Sequence, residues 1–230
     1  MSARKTSKFW SNLDQGWQPL LALFAVDMME LILSDTLTVK QILPKTSALE
    51  SDPLNSSVTL ILFVTVLFAW LLGSNIVKRI SAIIYAGWVT LGLISSLVVL
   101  ILTMPARTAA GAGIGMLWDA LMVWGVNVVI FAVWYWLIDS GGHEARSKSL
   151  PERRDFVFPQ QANASLSGWD HWTPGFVDYM FLAFNTSTAF SPTDTLILTY
   201  KAKLATMLQA TISLITIAAL AGYAINIMAG

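Results

Sequence analysis

The sequence predicts an all-α membrane protein with five transmembrane helices and a re-entrant half-helix before the last span. Three observations carry this expectation. Of the 230 residues, 55% are hydrophobic and 12% are charged, whereas soluble domains carry about 25% charged residues. Several uncharged apolar runs reach the roughly 20 residues that an α-helix needs to cross a bilayer. Near the C-terminus a shorter apolar piece, 176–190, is followed by the polar break Ser191-Pro192-Thr193-Asp194-Thr195 and then by a full-length span. Irregular backbone survives at membrane depth only where protein buries it or where it lines a water-filled cavity. Half-helix, polar turn and helix together suggest a re-entrant hairpin over 175–199. A full crossing by 176–190 is the alternative that the pattern leaves open.

The elements follow in order. Residues 1–18 are a polar, basic tail. Pro19 suits the first turn of a helix, where its missing N–H costs little, so a first span is expected over 19–34. It carries Asp27 and Glu30, three residues apart and therefore on one helical face. A polar connection with Pro44 and Pro53 leads to a clean span at 57–77, closed by Lys78-Arg79. A second uncharged span covers 80–104. The Gly-rich run Gly111–Gly115 reads as a flexible turn before a span at 114–138, which carries Asp119 and Asn127 and ends in the aromatic belt Trp134-Tyr135-Trp136. Residues 139–174 are the one long polar stretch, within which Phe156-Val157-Phe158-Pro159 is apolar enough to dip back toward the membrane. The last span is expected over 202–228, with Gln209 and Asn226 as its polar members.

Basic residues choose the orientation. With a cytoplasmic N-terminus and a hairpin that returns to its own side, the inside holds Arg4, Lys5, Lys8, Lys78, Arg79, Arg146, Lys148, Arg153, Arg154, Lys201 and Lys203. The outside then holds only Lys40, Lys45 and Arg107. Letting 176–190 cross, or leaving the first segment out of the membrane, lowers the inside count, so the positive-inside rule favours the five-span arrangement in a bacterial inner membrane. The basic start is not read as a secretory signal, because its apolar run contains Asp27 and Glu30 and lacks a small-residue cleavage site.

Composition also excludes some chemistry. Lys and Arg number 14, as do Asp and Glu, so no net charge argues for nucleic acid. The chain has no cysteine, which removes disulfides, thiolate metal sites and cysteine nucleophiles. His143 and His171 stand in no spaced ligand motif, and no nucleophile–base pair is visible. No metal site, cofactor or catalytic residue is expected. The expected partners are the lipid bilayer, further copies of the chain and a small ion.

The hairpin supports two readings. In one, Asp178, Thr188, Ser191, Thr193 and Asp194 form a polar constriction for an ion. In the other, Ser191 caps a helix, Pro192 opens its first turn and Asp194 follows three residues on, so the turn merely anchors a short interfacial helix. Asp27, Glu30, Asp119 and Asn127 are intramembrane or near-boundary polar groups, and ionisable residues there are functional candidates. Gln209 and Asn226 read more simply as interhelical hydrogen-bonding residues. Lys201 and Lys203 either pair with Asp194 or face anionic lipid.

A motif string runs through the C-terminal part: Trp134-Tyr135-Trp136-x-x-Asp139-x-Gly141-Gly142, Arg154-Asp155-Phe156-x-Phe158-Pro159-Gln160, Trp172-x-Pro174, and Asp178-Tyr179. It continues as Thr188-Ala189-Phe190-Ser191-Pro192-Thr193-Asp194-Thr195, Ala202-Lys203, Gln209, Ser213 and Ala224-x-Asn226. This resembles a bacterial family of uncharacterised multi-span membrane proteins that end in a TAFSPTDT hairpin. The resemblance implies membrane class and layout, not an activity. The order half-helix, loop, inner helix also resembles the pore module of tetrameric cation channels, and Asp178-Tyr179…Thr186-Ser187-Thr188 is similar to a potassium-channel pore helix. No glycine lies between Gly175 and Gly222, whereas potassium filters use backbone carbonyls of a Gly-containing loop. A potassium filter is therefore not expected.

Overall fold

A computed structural model describes residues 8–36, 56–72, 75–104, 112–141, 154–163, 172–189 and 194–229. Its helices are α1 (Lys8–Thr36), α2 (Ser56–Leu72), α3 (Asn75–Thr103), α4 (Ala112–Ile138), the short α5 (Pro159–Ala162), α6 (Phe176–Thr188) and α7 (Tyr200–Ala229). Two-residue strands β1 (Phe156–Val157) and β2 (Leu196–Ile197) pair antiparallel, with Phe156 opposite Ile197 and Val157 opposite Leu196. Among the described residues, three helices are long and apolar enough to cross a membrane, Ile76–Thr103, Gly113–Ile138 and Tyr200–Ile225, and Val58–Leu71 is a shorter apolar helix. This fits an all-α membrane protein.

The bundle is organised around α4, which packs against α1, α3, α6 and α7. A helix that is apolar all round is a buried one, and α4 is close to that limit. Its spanning stretch is 56% buried, against 22% for α7. Val126, Ile130, Phe131, Ala132, Val133 and Tyr135 are all essentially inaccessible. Gly125 lies on the α1 side, where Met29 occupies the space that a Cβ would need, 2.3 Å from its ideal position. The second helical pair is α2 with α3, joined in part by the Trp88 indole N–H donating to the Thr59 hydroxyl at 3.0 Å.

Several boundaries differ from the sequence expectation. Helix α1 does not open at Pro19; it starts at Lys8 and carries Pro19 in its interior. A proline there costs about 3 kcal/mol or more, yet Pro19 is buried within the helix, so packing holds what propensity disfavours. Lys78-Arg79 does not close the span of α2, which ends at Leu72. Lys and Arg are good helix formers, and both residues lie inside α3, with the Lys78 ammonium 5.9 Å from the Trp70 ring centroid. Asp194 does not begin a helix either. The chain from 194 to 199 is non-helical and contains β2, and α7 starts only at Tyr200, so Asp194 does not serve as a first-turn acid.

Residues 154–163 of the polar stretch after α4 also pack onto the bundle. Phe156 and Phe158 are buried. Phe156 lies 5.2 Å from the Tyr135 ring, while Phe158 meets Tyr179 edge-on at 5.3 Å and Trp172 at 5.8 Å. Edge-to-face aromatic pairs contribute about 0.5–1.5 kcal/mol beyond the area they bury. This cluster seats the segment around β1 beneath the end of α4.

Candidate functional site

At the end of α4 the chain makes a 3-10 turn, Asp139–Gly141, in which Ser140 adopts the left-handed conformation (φ 51°, ψ 30°). That conformation costs a non-glycine residue about 1–2 kcal/mol. Two bonds hold it: the Ser140 N–H donates to Asp155 Oδ2 at 2.7 Å, and its hydroxyl donates to Asp139 Oδ1 at 3.1 Å. Both aspartates are buried. Asp139 also accepts the backbone N–H groups of Asp155 (3.2 Å) and Phe156 (3.3 Å), and the Tyr179 hydroxyl at 2.6 Å. Asp155 accepts the Thr199 hydroxyl and pairs with the Lys201 ammonium at 2.9 Å. Lys201 further donates to the carbonyl of Ile138 at 2.9 Å, placing a cation at the C-terminus of α4, where the helix dipole favours it. Lys201 therefore pairs with Asp155 and not with Asp194.

These contacts locate both ends of the segment 175–199. Tyr179, in the first turns of α6, is tied to Asp139. Thr199 and Lys201, which end the return limb and open α7, are tied to Asp155 and Ile138. The segment enters and leaves at one end of α4. The 13 residues of α6 carry the chain about 20 Å along the bundle.

Deeper in the bundle, Gln209 of α7 is fully buried and joins three helices. Its amide donates to the carbonyl of Ala183 and to the Ser187 hydroxyl, both at 2.8 Å, and its side-chain oxygen accepts the Tyr135 hydroxyl. Asn127 on α4 donates to the Gln209 backbone carbonyl at 3.2 Å and to the Ser213 hydroxyl at 2.7 Å. The Asn127 side-chain oxygen is buried without a hydrogen-bond partner. In a low-dielectric interior the bonds this network does make are strong and fix relative helix positions.

The residues singled out from sequence fall in four places. Asp178 caps α6, accepting the Gly175 N–H at 2.7 Å. Burial pushes its carboxyl above the ordinary value, opposed by the N–H bonds of Gly175 and of its own backbone. Thr188 stands at the far end of α6, exposed, its hydroxyl donating to the Phe184 carbonyl at 2.9 Å. Helix rise separates these two by about 15 Å. Asp194 is exposed on the return limb; Ser191 and Thr193 lie outside the described residues. Asn127 and Gln209 share one network, whereas the Asn226 side chain is outside the described ones.

Asp27, Glu30 and Asp119 are all buried. Asp27 accepts the Tyr85 hydroxyl at 2.7 Å, joining α1 to α3. Tyr85→Phe is expected to destabilise the fold by about 1 kcal/mol, because it removes the one donor seen on a buried carboxylate. Denaturant titration in micelles checks this, and an unchanged midpoint would show that the contact contributes nothing.

Asp139, Asp155, Tyr179, Tyr135, Ser187, Thr199 and Lys201 were not singled out as site residues from sequence. For Tyr135, Asp139, Asp155 and Tyr179 the signal lay in the motif string, whereas Ser187, Thr199 and Lys201 fall outside it. No protein-family model, curated protein or solved structure matches the chain, so its functional reading stands on the geometry of these residues.

Proposed function

We propose that the chain is a channel-like protein of a bacterial inner membrane that passes a small ion through a constriction closed by the 175–199 hairpin. The observation that carries this reading is the anchoring of both hairpin ends to one end of α4, with α6 running into the bundle between them. That anchoring supports a segment that is re-entrant in a bilayer, in a proposed layout of five spans with a cytoplasmic N-terminus. Thr188, Ser191, Thr193 and Asp194 then form the polar limb, and Asp178 sits at its mouth. Exposed Thr188 and Asp194 are poorly suited to lipid, and irregular backbone at depth needs protein or water around it. Further copies of the chain supply that surroundings, which makes the functional unit a homo-oligomer with the limbs converging.

A second reading, a non-conducting scaffold or partner subunit, draws on one observation: Ser187 and Asp178 direct their polar groups at the chain itself. Ion flux into vesicles separates the two. Asp194→Ala is expected to change flux at equal protein level, and flux identical to wild type would sink the proposed constriction. The geometry has its own check, because the chain lacks cysteine. Single cysteines at Ser167 and Thr199 are expected to react with an impermeant reagent from the same side, and a cysteine at Gly230 from the other. Opposite sides for 167 and 199 would mean that the segment crosses.

A further inference from the structure

The two limbs of the hairpin are held by different kinds of contact. Helix α6 is anchored by buried groups: Tyr179 to Asp139, and Ala183 and Ser187 to Gln209. The return limb is anchored by β1, a strap contributed by the polar stretch after α4. The strap supplies the two-residue ladder, the Leu198 N–H bond to the Asp155 carbonyl at 2.9 Å, and the Asp155 carboxylate that takes Thr199 and Lys201. On this limb Leu196 and Leu198 are exposed, and the Lys201 side chain is 54% exposed while Asp155 is 3% exposed. Segments with few buried apolar contacts and solvent-reachable hydrogen bonds open first.

We propose that Asp155 and Lys201 form a latch that holds the return limb against the end of α4 and lets it open without undocking α6. The physical asymmetry is that of a buried carboxylate whose cation reaches water. Losing that cation leaves buried Asp155 without a counter-ion, held only by the Ser140 N–H and the Thr199 hydroxyl, which is costlier than losing an exposed pair. The limb, having little apolar burial of its own, is the element that gives way. Helix α6 keeps its independent anchors and stays docked. The latch rests on where the hairpin is held and not on ion passage, so its test and the flux test fail separately.

The experiment uses the full chain in vesicles with one introduced cysteine and a water-soluble thiol reagent. Thr195→Cys reports on the limb, since Thr195 is 9% exposed, and Ala183→Cys reports on α6, being fully buried. In the otherwise native chain both are expected to be protected. Lys201→Met is expected to speed labelling at 195 by about a hundredfold and to leave 183 protected. Lys201→Arg, which keeps the charge, is expected to keep 195 protected. Fast labelling at 195 in the native background, an unchanged rate in Lys201→Met, or a parallel rise at 183 would each overturn the latch.

Discussion

Asp139→Ala is expected to destabilise the folded chain by about 3–5 kcal/mol, since each buried donor left without a partner costs about 1–3 kcal/mol. The substitution strands the N–H groups of Asp155 and Phe156 and the hydroxyls of Ser140 and Tyr179 at once. It also removes a bond that holds Ser140 in its left-handed conformation. Water at the end of the bundle rescues some of these donors, which sets the estimate below a simple sum. Tyr179→Phe removes one donor only and is expected to cost about 1 kcal/mol. Denaturant titration of both variants in micelles gives the comparison. A loss for Asp139→Ala no larger than that for Tyr179→Phe would mean that Asp139 acts as a partner for tyrosine and not as the hub of the turn.

Gln209→Leu is expected to cost about 2 kcal/mol, the sum of several interhelical bonds that average about 0.6 kcal/mol each and a hydroxyl or two left unpaired. Its amide and oxygen together serve Ala183, Ser187 and Tyr135, so one substitution loosens α6 from both α4 and α7. Removing both partners of a buried bond is milder than removing one. Adding Tyr135→Phe to Gln209→Leu is therefore expected to recover part of the loss. If the double variant is less stable than the sum of the single ones, the Tyr135 hydroxyl has another role in the bundle.

Helix positions were legible because apolar runs in this chain are long and their polar interruptions sharp. Helix ends were less so. Pro19 reads as a start, yet burial carries α1 through it; Lys78-Arg79 reads as a stop, yet both residues lie inside α3. At the site, Gln209 was legible as an interhelical residue because a lone amide in an apolar span has few other uses. Asp139 and Asp155 were not, since each sits in polar sequence where an aspartate needs no explanation. What joins them is a left-handed turn at Ser140 and the burial of Phe156 and Phe158. Periodicity reports on neither. The partner of Lys201 was hidden for the same reason: the contact spans a loop whose path depends on tertiary packing.

The placement of the anchors dictates an order of assembly. Thr199, Lys201 and Gln209 all follow α6 in the chain, so the half-helix emerges from the ribosome before these hydrogen-bond partners exist. At 13 residues it is too short to span a bilayer and carries Asp178, Asn185 and four hydroxyls, so lipid alone offers it no stable position. Integration of the last helix is then the event that completes the hairpin. Until then the half-helix lacks the Gln209 bonds that hold Ala183 and Ser187 in the folded chain.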